Sequence, residues 1–153
     1  MLFSWRSINS FWADYKSTRR AKLVIRSMIV IQDILRIIFS TFFIYVGITH
    51  FTNPSIYDAL VPTYLPNPRI MHLLAGAVEV ILGISLLTKW KSEGALLLAI
   101  FLVVVYLGNL HMWINNIPFM GNTLTTNGHI LRLIAQILMI SYSIYLWRIF
   151  KWK

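Results

Sequence analysis

Four apolar runs organise the chain, at residues 31–51, 69–88, 93–113 and 129–149. Each holds about 20 residues, and at about 1.5 Å rise per residue that length matches a hydrocarbon core about 30 Å thick. Lipid offers backbone amides no partner, so the pattern predicts four transmembrane helices. Ahead of them Leu2, Trp5, Ile8, Phe11, Trp12 and Tyr15 recur every three or four positions among Arg6, Lys16, Arg19, Arg20, Lys22 and Arg26. That spacing predicts a basic amphipathic segment, residues 1–27, lying at the membrane surface before a transmembrane domain of residues 28–153. The expected fold class is all-α, an integral membrane four-helix bundle.

The connections differ in charge. Lys89 and Lys91 sit between the second and third runs, and Arg148, Lys151 and Lys153 close the chain, whereas residues 52–68 and 114–128 carry no Lys or Arg. The positive-inside rule then predicts both termini in the cytoplasm and the two long loops outside. "TNPSIYDALVPTYLPNP" is too apolar for a solvated linker and is expected to fold back over the bundle, with a short helix near Ser55–Leu60 capped by the serine. "NNIPFMGNTLTTNG" is polar and turn-prone.

Composition agrees: 58% of residues are hydrophobic and 12% charged, which lipid explains better than water. A net charge of +9 lies outside the apolar runs, so it reports membrane topology and points to the bilayer, not to nucleic acid. The chain has no cysteine, which removes disulfides, thiolate metal ligands and dithiol redox chemistry.

Polar residues inside the spans are what burial must account for. His50, His72, His111 and His129 all fall at the outer ends of helices. Glu79 lies mid-span, where an unpaired carboxylate costs several kcal/mol. His72, Gly76, Glu79 and Gly83 recur on one helix face, the glycines allowing a neighbouring helix to approach. His129, Arg132 and Gln136 form a second stripe. These spacings predict a buried Glu79–Arg132 pair, with Asn109 and Gln136 completing its hydrogen bonds. Near the inner end, Asp33 and Arg36 are spaced to pair at i, i+3.

Several chemistries are set aside. There is no Gly-rich phosphate loop, nucleophile elbow or HExxH helix. Beside Glu79 the only acid available for paired-carboxylate work is Asp58 in the first outer loop. No two histidines have the i, i+4 spacing of a helical ligand pair, so no metal site is expected.

"GITHFTNPSIYDALVPTYLPNP", "LLAGAVEVILGISLL", "VVVYLGNLHMW" and "LRLIAQILMISYSIYLW" occur in this order across residues 45–146. Together they resemble the DoxX-like family of small four-helix membrane proteins. Its recurring positions fall on Gly47, His50, Phe51, Pro54, Pro62, Leu65, Pro66, Gly76, Glu79, Gly83, Asn109, Met112, Arg132 and Gln136. The chain departs from the pattern at Leu107, Gly108 and Ile134, where the family tends to have proline, alanine and proline. The resemblance implies an accessory subunit of a membrane redox system, without an assigned reaction of its own.

The expectation is therefore an inner-membrane protein with an outward-facing polar pocket for a quinone, a lipid head group or a redox partner protein. His50, Glu79, Asn109, Arg132 and Gln136 would line it, with His72, His111 and His129 nearby and Gly76 and Gly83 packing helices. The alternatives are a small proton-coupled transporter working as a homo-oligomer, or a purely structural membrane subunit.

Overall fold

The structure, a computed structural model, describes residues 19–62, 64–118 and 121–151. Its helices are α1 (Arg19–Thr52), α2 (Pro54–Asp58), α3 (Pro68–Ser85), α4 (Lys91–Ile114) and α5 (Thr126–Lys151). Among the described residues there is no strand. The four longer helices are each long and apolar enough to cross a membrane. Large apolar side chains such as Leu74, Ile81, Leu97, Ile100, Leu131 and Leu138 point outward, a distribution that lipid, not water, accommodates.

The chain divides into two compact units, Met1–Arg36 and Ile37–Lys153. Residues 1–18, most of the expected amphipathic segment, lie outside the described residues. In the described part of the first unit, α1 runs from Arg19 straight through the expected boundary at residue 27, because residues 19–30 contain no glycine or proline to stop it. Arg36 Nη2 donates to Asp33 Oδ1 at 2.9 Å, as their spacing predicts.

In the second unit the apolar core joins Phe43 of α1, Leu98 and Leu102 of α4 and Leu146 of α5 with Leu82 of α3 and Leu86 just beyond it. Side chains on facing helices exclude one another's lipid here, and dispersion contacts hold the helices together. Polar groups add direct links: Ser40 Oγ donates to the Gly83 carbonyl at 2.6 Å, and Gln136 Nε2 to the Leu102 carbonyl at 2.6 Å.

Helix ends follow local chemistry. Asn67 adopts a left-handed conformation (φ 47°) and its side chain accepts the Ile70 N–H, with Pro68 opening α3. The same helix stops at Ser85, earlier than residue 88, as Ser85 and Thr88 hydroxyls donate to the Leu82 and Ser85 carbonyls. Thr125 Oγ1 accepts the Gly128 N–H at 3.3 Å, which starts α5 at Thr126 instead of 129. The expected serine cap of the loop helix is corrected: Asn53 occupies the N-cap of α2 without a side-chain cap bond, and Pro54 takes the first helical position.

Candidate functional site

The site begins with glycines. A Cβ on Gly47 would lie 2.6 Å from the Gly76 carbonyl oxygen, and one on Gly76 would lie 2.5 Å from His50 Cβ. A Cβ on Gly83 would lie 2.8 Å from Ile44 Cγ1. Only residues without a side chain permit α1 and α3 to come this close. Their contact brings His50, one turn beyond Gly47, onto the face of α3 that carries Glu79.

His50 Nε2 stands 3.5 Å from Glu79 Oε2. That is an ion-pair distance without hydrogen-bond geometry, and both residues are buried, 8% and 6% exposed. The expected Glu79–Arg132 pair is not formed. Two helices with interlocking glycines set Glu79's partner, and long-range charge complementarity does not.

The first loop completes this side. From α2, Tyr57 stacks on His50, with ring centroids 3.7 Å apart and planes at 23°. Its hydroxyl lies 2.5 Å from Thr49 Oγ1. Because Thr49 already donates to the Val46 carbonyl, the tyrosine is the donor in that contact. Asp58, the last residue of α2, takes two bonds from Arg69, Nε–Oδ1 at 2.9 Å and Nη2–Oδ2 at 2.6 Å. The guanidinium, together with His72 Nε2 at 2.9 Å, holds the Asp58 carboxyl below its ordinary range. An ionised Asp58 makes His72 Nε2 the donor. His72 itself is only 3% exposed, and its ring centroid is 5.7 Å from that of His50.

Two carboxylate–imidazole pairs thus face each other, Asp58–His72 and Glu79–His50, beneath Tyr57. Within them His50 Nδ1, His72 Nδ1 and Glu79 Oε2 are buried without a hydrogen-bond partner. Buried polar atoms are nearly always satisfied, so three without a partner on neighbouring residues make this the candidate place for polar atoms supplied from elsewhere.

The other candidates gather elsewhere. Arg132 Nη2 donates to Asn109 Oδ1 at 2.7 Å and Nη1 to Met112 Sδ at 3.6 Å, joining α5 to α4. His129 stacks on Trp113 at 5.3 Å, and His111 Nδ1 sits 3.0 Å from Asn115 Nδ2. Gln136 is spent on the Leu102 carbonyl. His50, His72 and Glu79 thus meet on α1 and α3, while on α4 and α5 Arg132 bonds Asn109, His129 stacks on Trp113, Gln136 bonds the Leu102 carbonyl and His111 lies beside Asn115.

Sequence reasoning missed Tyr57 and Arg69 and gave Asp58 only a passing role. One signal was available: Arg69 and His72 lie at i, i+3 on the first turn of α3, facing whatever the preceding loop presents.

No curated protein and no solved structure matches the chain. Residues 39–147 match the family described as Domain of unknown function (DUF8561), a stretch that contains every residue of both polar groups, and the chain belongs to that family.

Proposed function

We propose that this protein is an accessory subunit of a membrane redox system, and that the His50–His72–Glu79 group holds the head group of a quinone. The observation that carries the reading is that three buried polar atoms of the two carboxylate–imidazole pairs have no hydrogen-bond partner. Quinone oxygens need hydrogen-bonding groups of both kinds as their redox state changes, and imidazoles can donate or accept. His50 and His72 would hold the oxygens, Glu79 would exchange protons, and Tyr57 offers an aromatic face. A bound quinone supplies two-electron, two-proton chemistry. A phosphate head group suits the site less, since Glu79 and Asp58 would repel it. Burial of all three groups also disfavours direct docking of a protein there.

The remaining features of the reading rest on the sequence. Charge asymmetry supports cytoplasmic termini and an α2 loop on the outer side of an inner membrane. The resemblance to DoxX-like proteins supports a redox partner, and the outward apolar faces leave room for a homo-oligomer.

The test is purification of the full chain in mild detergent, with quinone quantified in the extracted lipid. Wild type should retain a ubiquinone-like or menaquinone-like molecule that Glu79→Ala loses. Its absence from wild type, with the protein folded, would refute the quinone reading and leave the structural role.

A further inference from the structure

The two carboxylate–imidazole pairs differ in their access to water. Asp58 is about one-third exposed at its side chain, whereas His72 and His50 are 3% and 10% exposed at theirs and Glu79 is 7%. The polar atoms form a series: Asp58 Oδ1 to His72 Nε2 at 2.9 Å, the two imidazole rings 5.7 Å apart, and His50 Nε2 to Glu79 Oε2 at 3.5 Å. Each imidazole uses Nε2 toward its own carboxylate and keeps Nδ1 unpartnered. With both Nδ1 atoms unpartnered, a proton crossing between the rings needs a bridging oxygen, which a water would supply.

We propose that Asp58, His72 and His50 form a proton path between the aqueous face and the membrane-buried carboxyl of Glu79. Outward, His50 passes a proton to His72 Nδ1 as Glu79 protonates His50 again. The resulting His72 imidazolium is stabilised by the Asp58 carboxylate and releases its Nε2 proton to that carboxylate and on to water. One O–H bond at Glu79 is broken and one is formed at water, with no change of oxidation state. The inward direction reverses each transfer.

Arg69 is the positioning residue. Its two bonds fix Asp58 against His72 and keep the carboxylate ionised, so it accepts a proton only briefly. Among the described residues, the ion-pair partners of the two carboxylates are Arg69 and His72 for Asp58 and His50 for Glu79. Facing the path are His50 from α1, Tyr57 and Asp58 from α2, and Arg69, His72 and Glu79 on α3. On α4 and α5, Arg132 bonds Asn109 and His129 stacks on Trp113. Tyr57 covers the His50 face.

This proposal gives the site of the quinone reading a proton supply, but its test uses no quinone. Full-length protein in lipid nanodiscs is subjected to a pH step, and the carboxylic-acid band that Glu79→Gln removes is followed by time-resolved infrared spectroscopy. In wild type the band should follow the step. Asp58→Asn and His72→Phe should slow it about 100-fold, the order of a lost proton-transfer group, while the final amplitude stays similar. Asp58→Asn changes a partly exposed side chain isosterically, so it carries the test if His72→Phe does not fold. A wild-type rate in a folded variant, or a wild-type band unmoved by pH, would overturn the proposal. Quinone content measured on the same preparations reports separately on the reading above.

Discussion

Replacing Gly76 by alanine should break the site without touching a polar atom. The added Cβ would sit 2.5 Å from His50 Cβ, 2.8 Å from the Gly47 carbonyl oxygen and 2.9 Å from His50 Cγ. Carbon atoms in contact stand about 3.5–4.0 Å apart, so α1 would have to retreat by about 1 Å. Two of the opposing atoms belong to backbone or to the root of a side chain, and no rotamer change clears them. Overpacking of this kind costs about 1–3 kcal/mol, and the severity here argues for the upper end. Alanine recovers about 1 kcal/mol through its better helix propensity. The net loss should be about 2 kcal/mol, up to about 30-fold in the folded-to-unfolded ratio. The same retreat would open the 3.5 Å His50–Glu79 contact and should lower quinone retention. Gly108→Ala is the control, because its Cβ would meet only the Leu60 carbonyl at 3.5 Å, an ordinary contact, and should be neutral or stabilising. Reversible unfolding in mixed micelles, with quinone content measured in parallel, gives both quantities. Equal stability and retention for Gly76→Ala and Gly108→Ala would refute the close-packing argument.

Other consequences are separable. Asn109→Leu should loosen the Arg132 link between α4 and α5 and lower the unfolding temperature, yet leave quinone retention unchanged, since the two polar groups are distinct. Gln136→Leu removes a buried bond to the Leu102 carbonyl and should cost about 1 kcal/mol in the same unfolding assay, with no effect on the site. Asp58 has its pKa lowered by Arg69 and His72, so its stabilising contribution is complete above its unfolded pKa of about 3.9 and disappears as pH falls through the folded value. Thermal unfolding of wild type and Asp58→Asn should therefore differ at neutral pH and converge in acid below about pH 4.

The four spans and the polar stripe of α3 were legible because apolar length and 3.6-residue periodicity are local properties. His72, Gly76, Glu79 and Gly83 share a face that the spacing alone identified. What periodicity does not encode is which helix a face meets. Opposite formal charge favoured Arg132 as the partner of Glu79. The decisive information lay instead in Gly47 and Gly76, whose mutual contact brings α1 onto α3 and makes His50 the partner. Asp58 and Arg69 were hidden for a related reason. Their meeting depends on the path of a proline-rich loop through Pro62 and Pro66, and no local pattern reports that path. At the amino-terminal side, the expected start of the first span yielded to the absence of any helix breaker before residue 31. Charge at a helix start did not end it.

The most direct test of the account is photolabelling with an azido-quinone, with the labelled peptides identified by mass spectrometry on full-length protein in membranes. A head group held between the two carboxylate–imidazole pairs predicts adducts confined to residues 49–79, with Tyr57 prominent, and their loss in Glu79→Ala. Adducts around Asn109 and Arg132, or spread evenly over the outward apolar faces and insensitive to Glu79→Ala, would contradict it.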